Sequence, residues 1–398
     1  MRRLRARAML GALVFAALAV PAKAADRALV LEIDGAIGPP IADYIVQELR
    51  AAKADAAAAT YVNFGASNRD VIDTALVLDL RAAIDVLLGD LNRAVDGFTA
   101  LVGRHRRTGM VGRVGLRHAL SMPLGLKLAG YAAALGRSRD RLRRLRREAL
   151  VLQFGGEVGT LASLNERGLD VAERLAALLD LPLPEAPWHS HRDRLAEIAC
   201  ALAILTGSCG KIARDISLLM QTEVKEALAP SVSAALAAAN MVPNLTAALL
   251  AAQGQEHERG LDEWSPDTLM IPAIALASSG ALAAVVAVAE RLEIDGERAR
   301  VNIAATYGVV MAQPVAAALA AKIGREEANR IVEEISSKAL ASKRNLQDLL
   351  AQDERVRPHL SVGEIARLFE PMAYQGAAQT FIDRTVGSLH GRPGRSPR

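Results

Sequence analysis

Aromatic side chains are scarce in this chain. Its 398 residues include six Phe, five Tyr and two Trp, about 3% of the sequence, although 51% of the residues are hydrophobic. A β-sandwich or β-barrel would need more aromatic and β-branched residues, and a disordered chain would carry far less apolar content. The apolar residues are mostly Ala, Leu and Val, which a helical core accommodates. Composition therefore predicts an all-α fold with a large core.

The chain also has few cysteines and no large excess of charge of either sign. Cys200 and Cys209 cannot form a disulfide framework and lie in an apolar helical stretch, so we expect buried reduced thiols. The 48 basic and 44 acidic side chains leave a net charge of only +4, which gives no general attraction to nucleic acid. Seven arginines do cluster between Gly136 and Glu148. They could form an anion or nucleic-acid patch, but without interleaved aromatic residues we favour a solvated helix face.

The first 60 residues differ in character from the rest. Residues 1–24 combine an arginine-rich start, an apolar stretch and an Ala-Lys-Ala sequence, the pattern of a secretory signal; a misassigned start or a short buried helix is the alternative. Residues 25–60 predict a strand, a Gly/Pro-rich turn and a helix. Their stretch ALVLEIDGAIGPPIADYIV resembles the opening of membrane-associated serine proteases of the NfeD type. Nothing downstream matches the nucleophile and base of that family, so we expect no protease activity.

Apolar residues at helical spacing predict three long helices. They are residues 71–106, 121–153 and 192–226. Two further stretches, 228–255 and 269–289, carry no charged residue and are long enough for a membrane span. They are rich in Ala with Ser, Gly, Asn and Pro, and they lack flanking aromatics apart from Trp264. We therefore favour helices buried inside a large bundle or an oligomer.

These patterns divide the chain into five segments. They are a signal-like segment at 1–24, a protease-like fragment and junction at 25–60, a central long-helix domain at 61–290, a C-terminal helical domain at 291–388 and a disordered tail at 389–398. Beyond the signal-like segment, no integral membrane domain is expected.

Six blocks from Tyr61 onward resemble, in order and spacing, blocks of the fumarase/aspartase superfamily. They are GASNRD at 65–70, MVGRVGLRHA at 110–119, LQFGG followed by GTL at 152–161, PWHSHRD at 187–193, GKIARD leading to LMQTEV at 210–224, and QEHER at 255–259. Within the superfamily, the chain most resembles the 3-carboxy-cis,cis-muconate cycloisomerases. The resemblance extends to about Gly387 and implies the long-helix bundle of that superfamily.

The resemblance also implies a reaction and an assembly. Members of the superfamily add or eliminate a group across a carbon–carbon bond beside a carboxylate, and the cycloisomerases close a muconate to a lactone. This chemistry needs a base near the α-carbon and hydrogen-bond donors around the carboxylates, and the family implies no metal or organic cofactor. The implied assembly is a homotetramer whose site binds a small dicarboxylate or tricarboxylate. The implied compartment is the cytoplasm, although the signal-like N-terminus leaves export to the periplasm open.

One element of the family is missing from the sequence. A G-S-S-x-M-P-x-K-x-N-P loop, which supplies the serine base and a carboxylate-binding Lys, should follow Val224, but the chain runs through Pro230 directly into a helical stretch. Ser231 and Ser233 are poor substitutes, because a serine base depends on its placement and this connector lacks glycines and length. The catalytic residue is therefore unknown, and we expect weak or no activity. A non-catalytic exported or membrane-attached helical oligomer, or a degraded gene fusion, is the alternative.

Seven residues of the matching blocks are the candidates for binding a substrate: Ser67, Asn68, Arg113, His118, Gln153, His189 and Arg192. Ser67 and Asn68 stand where the family has two hydroxyl residues, and the other five match the family. His189, which follows a Trp in the most specific block, is the leading candidate. His118 is expected on an apolar helix face, where a core or interface role is favoured over catalysis. Arg192 with Asp193 has the alternative of a charge arrangement at a helix start, and Gln153 has that of supporting the glycine turn after it.

Overall fold

The computed structural model describes residues 63–258, 260, 266–370, 372 and 374–389. The signal-like segment, the protease-like fragment with its predicted strand–turn–helix, and the last nine residues of the predicted tail lie outside the described residues. Long helices dominate the described part, with only short strands between them, which confirms the predicted all-α class.

Twelve α-helices follow one another along the described residues. They are α1 (Asn68–Arg104), α2 (Leu124–Glu148), α3 (Gly168–Leu178), α4 (Asp193–Leu219), α5 (Ser233–Ala251), α6 (Asp267–Arg291), α7 (Gly296–Ala304), α8 (Ala312–Ile323), α9 (Arg325–Ser342), α10 (Leu346–Gln352), α11 (Val362–Leu368) and α12 (Ala378–Leu389). Two antiparallel strand pairs accompany them. They are β1 (Gly109–Val114) with β2 (Arg117–Pro123), and β3 (Ala227–Leu228) with β4 (Glu293–Ile294).

The three predicted long helices correspond to α1, α2 and α4, and the two uncharged stretches form α5 and α6. The ends of all three long helices differ from the prediction by a few residues, and two of these differences have a clear cause. Helix α2 begins at Leu124 because the preceding residues belong to a strand, and α4 ends at Leu219, before a strand-forming connector. Both α5 and α6 contain an internal proline, Pro243 and Pro272 respectively.

A reciprocal cap fixes the start of α1. The hydroxyl of Ser67 accepts the backbone N–H of Asp70 at 3.3 Å, and the Asp70 carboxylate accepts the backbone N–H of Ser67 at 2.7 Å. This arrangement is a capping box, which satisfies two backbone donors that the helix itself leaves unpaired. It therefore sets both where α1 begins and where the Asp70 side chain points.

A β-hairpin precedes α2, and the sequence did not predict it. Val114 of β1 lies opposite Arg117 of β2. Between them, Gly115 and Leu116 have φ angles of 56° and 63°, the pair of positive values that a two-residue type I′ turn requires. The prediction that His118 lies on an apolar helix face is therefore wrong, because the tight turn reverses the chain and places His118 on an exposed strand.

The chain divides into two compact units, each assembled from three segments. The first contains the described residues up to Leu88, with Arg141–Leu202 and Pro243–Leu276; the second contains Gly89–Asp140, Ala203–Val242 and the described residues from Ala277 onward. In the second unit, helices α8 to α11 bury an aliphatic core. Its members include Val315, Leu319, Ile331, Ile335, Leu346 and Leu350. The domain boundary expected between residues 290 and 291 stays a prediction.

Several helices are apolar enough to raise the question of whether they lie in a membrane. Among the described residues, α4, α5 and α6 are long and apolar enough to cross a membrane, and the bent pair Gly296–Ala304 and Val309–Ile323 is a fourth candidate. The most apolar window of α5 is only 28% buried within the chain. Part of the apolar surface of α5 is thus not buried by the chain itself, and its burial in an oligomer rather than in a membrane stays a prediction.

Candidate active site

The carboxylate of Asp70 is the centre of a buried cluster in the first unit. It accepts five hydrogen bonds at 2.7–3.1 Å. The donors are the backbone N–H groups of Ser67, Gly155 and Gly156, the hydroxyl of Ser67 and the side-chain amide of Gln153. One side chain therefore joins the GASNRD block to the LQFGG block, although the two are far apart in sequence.

The turn that meets Asp70 requires glycine at position 156. Gly156 has a φ of +70°, and a Cβ at this position would lie 3.0 Å from the carbonyl oxygen of Gly65. A larger residue would be strained by the backbone conformation and crowded by that carbonyl. The glycine thus allows the backbone to approach closely enough for its N–H to reach the carboxylate.

Gln153 is buried, and both ends of its amide are engaged. Its Nε2 donates to Asp70 at 2.8 Å and lies 3.5 Å from Nδ1 of His189, while its Oε1 accepts the backbone N–H of Trp188 at 2.7 Å. The hydroxyl of Thr74 pairs with both the N–H and the C=O of Gln153, at 3.2 and 2.9 Å. These contacts fit the expected support of the glycine turn, and a direct contact with substrate stays a prediction.

Arg192 is enclosed by two aspartates. Its Nε donates to Asp267 at 2.6 Å, and its two terminal nitrogens donate to the two oxygens of Asp73 at 2.7 and 2.8 Å. Nη2 also contacts Asp267, and Nη1 lies 3.5 Å from the carbonyl oxygen of His189. The five N–H donors of a guanidinium are thus matched by acceptors of the same chain. The side chain is 5% exposed and lies 5.1 Å from the centre of the Trp188 ring. Its partners are thus distant aspartates, and both substrate binding and the expected charge arrangement with Asp193 stay predictions.

Arg69 completes a network of two arginines and two aspartates. Its Nε donates to Asp73 at 3.1 Å, and its Nη2 lies 3.4 Å from Asp267. Burial raises the pKa of the Asp73 carboxyl above its ordinary value, and the contacts with Arg192 and Arg69 only partly oppose that rise. Burial acts to lower the pKa of Arg192, but Asp73 and Asp267 outweigh it, so that pKa is raised. The charges of the four side chains balance when all are ionised.

Five of the seven candidates predicted from sequence lie in the first unit. The structure links Ser67, Gln153, His189 and Arg192 through the hydrogen bonds described above. Asn68 is exposed at the first position of α1. Their roles in binding a substrate stay predictions.

The other two candidates, Arg113 and His118, lie on the β1–β2 hairpin in the second unit and pair across it. Nη2 of Arg113 donates to Oε1 of Glu226 at 2.7 Å, and Nη1 donates to Oε2 at 3.1 Å. Asn302 donates to the same carboxylate at 2.7 Å. Because the Glu226 side chain is only 4% exposed, this pair is a buried tether within the second unit.

The connector between α4 and α5, residues 220–232, occupies the place where the family loop was expected. Its strand β3 pairs with β4, with Ala227 opposite Ile294. Arg298 donates to the carbonyl oxygens of Val224 and Glu223 at 3.2 and 2.7 Å. The connector is short and contains no glycine. The strand pair and the contacts of Arg298 hold it at several points.

The serines at the end of this connector are exposed. The hydroxyls of Ser231 and Ser233 lie 3.1 Å apart and hydrogen bond to each other. Nothing in this geometry provides the general base that activates a serine. Within the described residues, no group of three or more His, Cys, Asp or Glu side chains is arranged to hold a metal ion.

Sequence reasoning assigned no role to three aspartates that organise the first unit. Asp70 had a detectable signal, since a Ser followed three residues later by an acidic residue indicates a helix cap. Asp73 lies four residues after Arg69, a spacing at which helical side chains meet. Asp267 had no local signal, because its contact with Arg69 spans 198 residues.

Comparison with known proteins identifies the class of this chain. The family model described as "Lyase" matches residues 23–234, and the model described as "Adenylosuccinate lyase C-terminus" matches residues 308–385. The chain belongs to the fumarase/aspartase superfamily of lyases, which confirms the family predicted from the sequence blocks. The first match begins inside the signal-like segment and covers the fragment for which a protease-like origin was predicted.

Within that superfamily, several similar proteins are named as 3-carboxy-cis,cis-muconate cycloisomerases or lactonizing enzymes. The chain is 54% identical over 356 residues to the 3-carboxy-cis,cis-muconate cycloisomerase of Bradyrhizobium diazoefficiens, covering 85% of this chain and 79% of the relative. It is 43% identical to the cycloisomerase of Pseudomonas aeruginosa, covering 85% and 78%. The crystal structure of the 3-carboxy-cis,cis-muconate lactonizing enzyme from Pseudomonas putida matches with a TM-score of 0.82 and 41% identity, covering 88% of this chain and 82% of that chain.

Proposed function

We propose that this chain is a lyase of the 3-carboxy-cis,cis-muconate cycloisomerase type that keeps the helical scaffold but has weak or no lactonising activity. The observation that carries the proposal is the connector of residues 220–232, which contains no glycine and is tied down through Glu226 and β3. A catalytic lid must move between open and closed states. A segment of this length, held by a buried ion pair and a strand pair, has no such freedom.

The reaction also lacks an assigned base. Lactonisation and its reverse need a group that moves a proton at the carbon next to a carboxylate. The serines of the connector are exposed and hydrogen bond to each other, and Arg192 is saturated by Asp73, Asp267 and a carbonyl oxygen. A substrate carboxylate would therefore depend on other donors. Among the candidates of the first unit we propose Asn68 and His189 for this task, because Ser67 and Gln153 already donate to Asp70. Binding roles for Arg113 and His118, which lie in the second unit, stay predictions.

The proposed assembly is a cytoplasmic homotetramer that binds a small dicarboxylate or tricarboxylate without a metal or an organic cofactor. Its support is the apolar surface of α5, of which the chain itself buries only a small part. Light scattering coupled to size-exclusion chromatography should give about four times the 42.2 kDa chain mass, and a cooperative thermal melt would argue against a degraded gene fusion.

The activity is tested by the loss of muconate absorbance on adding purified protein to 3-carboxy-cis,cis-muconate. The cycloisomerase of Bradyrhizobium diazoefficiens, 54% identical, is the matched active control. Loss of a general base costs about 10²- to 10⁴-fold in rate, so we expect turnover at least about 100-fold below the control. A faster rate would overturn the proposal.

A second candidate is a non-catalytic helical oligomer that is exported or attached to a membrane. The observation that favours it is the length and apolar character of α4, α5 and α6. Fractionation of cells that express the full chain, followed by N-terminal sequencing, separates the two candidates. An uncleaved chain in the cytoplasmic fraction supports the first, and a chain cleaved near Ala25 in the periplasm or one retained by washed membranes supports the second.

A further inference from the structure

The contacts around Gln153 fix the direction of its side-chain amide. Oε1 faces the backbone N–H of Trp188 at 2.7 Å, and Nε2 faces the carboxylate of Asp70 at 2.8 Å. The reversed amide would place its two hydrogens against an N–H group and its oxygen against a carboxylate oxygen. Because a backbone N–H can only donate and a carboxylate oxygen can only accept, one orientation is strongly favoured.

This orientation determines the partner offered to His189. A side-chain amide nitrogen carries two hydrogens, and one of those of Gln153 is directed to Asp70. Nδ1 of His189 lies 3.5 Å from the same nitrogen, at the outer limit of a hydrogen bond. A ring nitrogen that faces a donor must act as the acceptor, so the proton of the neutral ring lies on Nε2.

The surroundings hold the ring in place for this contact. His189 is buried, and its Cε1 lies close to Gly159, where a Cβ would approach to 3.3 Å. Its backbone carbonyl lies 3.5 Å from Nη1 of Arg192, which is itself fixed by two aspartates. These contacts place the ring, with Nδ1 towards the Gln153 amide.

We propose that Asp70, acting through Gln153, is a positioning residue that holds His189 in the Nε2–H tautomer. In that tautomer any hydrogen bond from the ring to a ligand is donated by Nε2, which suits a carboxylate oxygen. The ring in this state does not accept a proton at Nε2, so it does not replace the missing base. That a carboxylate is the ligand rests on the proposed function, whereas the tautomer does not.

The test is solid-state ¹⁵N NMR of the full chain labelled at histidine, with the His189 signals assigned by their absence from His189→Gln. We expect the wild-type ring to carry its proton on Nε2. Gln153→Met removes the amide donor while keeping length, and Asp70→Asn removes the charge that selects the amide orientation. Both should populate the Nδ1–H tautomer, whereas Gln253→Met, which alters a glutamine at the end of α5, should not.

Two results would overturn the proposal. One is an Nδ1–H tautomer in the wild-type protein, a result that requires His189→Gln only for assignment and does not depend on how Gln153→Met or Asp70→Asn folds. The other is an unchanged Nε2–H tautomer in Gln153→Met or Asp70→Asn protein that still melts cooperatively. The outcome is separable from the activity assay, because rapid turnover with an Nε2–H ring would reject the proposed function alone, and an Nδ1–H ring without turnover would reject this inference alone.

Discussion

Arg113 and Glu226 form a two-point ion pair, with Nη2–Oε1 at 2.7 Å and Nη1–Oε2 at 3.1 Å, that ties the β1–β2 hairpin to the connector after α4. Arg113 keeps about a fifth of its side chain exposed, whereas Glu226 is buried. Removing the arginine would leave a buried carboxylate with only Asn302 as a side-chain donor in the contacts described above. The pair therefore governs how firmly the connector is held.

Arg113→Met should release this connector. Loss of one partner of a buried ion pair typically costs 3–5 kcal/mol, and since Arg113 is partly exposed we expect a fall of about 3 kcal/mol in the free energy of unfolding. Hydrogen exchange read by mass spectrometry should show faster exchange across residues 220–232. Arg117→Met, which alters an exposed arginine on the same hairpin, is the control. Equal exchange rates in the two variants would contradict the tether.

Arg192→Met should destabilise the protein more at neutral pH than in mild acid. The change leaves Asp73 and Asp267 with Arg69 as their remaining arginine partner, at a cost of about 3–5 kcal/mol in unfolding free energy at pH 7. Burial already raises the pKa of Asp73, so the folded state binds a proton more readily than the unfolded state. By linkage, stability then rises as the pH falls towards the ordinary carboxyl range.

The measurement is urea unfolding of wild type and Arg192→Met at pH 7 and pH 5. The stability deficit of the variant should be smaller at pH 5, because protonation of Asp73 relieves the unbalanced charge. Arg174→Met, which alters an exposed arginine of α3, should show almost no deficit at either pH. A deficit that stays constant or grows on acidification would be evidence against the network as described.

Asp79 on α1 should limit stability above about pH 6. Burial raises the pKa of its carboxyl to about 6, so the folded protein resists an ionisation that the unfolded chain undergoes near pH 3.8. The cost appears as the pH rises from about 4 to 6 and is fully present above that range. Asp79→Asn should therefore raise the melting temperature at pH 7.5 and have little effect at pH 4. Asp96→Asn, an exposed change on the same helix, should change neither value, and a gain for Asp79→Asn at pH 4 as large as at pH 7.5 would disprove the explanation.

Gly156→Ala should destabilise the first unit. A positive φ costs a residue with a side chain about 1–3 kcal/mol, and the new Cβ would also press on the carbonyl oxygen of Gly65. Gly89→Ala is the matched control, since a Cβ at Gly89 in the middle of α1 meets no atom within 4 Å. It should raise stability by about 0.5–1 kcal/mol through better helix propensity. Urea unfolding of both variants checks this difference in sign.

The long helices could be predicted because their apolar residues repeat at the helical period, and each such pattern is local. The ends of the helices could not, since they depend on pairing with distant residues. Helix α2 starts late because β2 occupies residues 117–123, and β2 exists only because it pairs with β1. The signals for that hairpin were Gly112 and Gly115, and isolated glycines do not distinguish a turn from a helix.

Four side chains of the buried cluster were candidates from the sequence, but the contacts between them were not predictable. Resemblance to the family located Ser67, Gln153, His189 and Arg192, and the structure links them. The family resemblance could not show that the N–H donors of Arg192 are occupied, because the acceptors Asp73 and Asp267 lie 119 and 75 residues away. Contacts between residues that are distant in sequence decide which donors remain for a ligand. No local sequence pattern predicts such contacts.

The contacts described above that hold the connector act on residues up to Leu228, before α5 begins. Arg113, Asn302 and Arg298 all act on residues up to Glu226, and β3 ends at Leu228, whereas α5 starts only at Ser233. An insertion between Leu228 and Ser233 would therefore alter none of these contacts. The segment is therefore a grafting point for testing the proposed function, because the loop expected from the family resemblance could be inserted there while these contacts are kept.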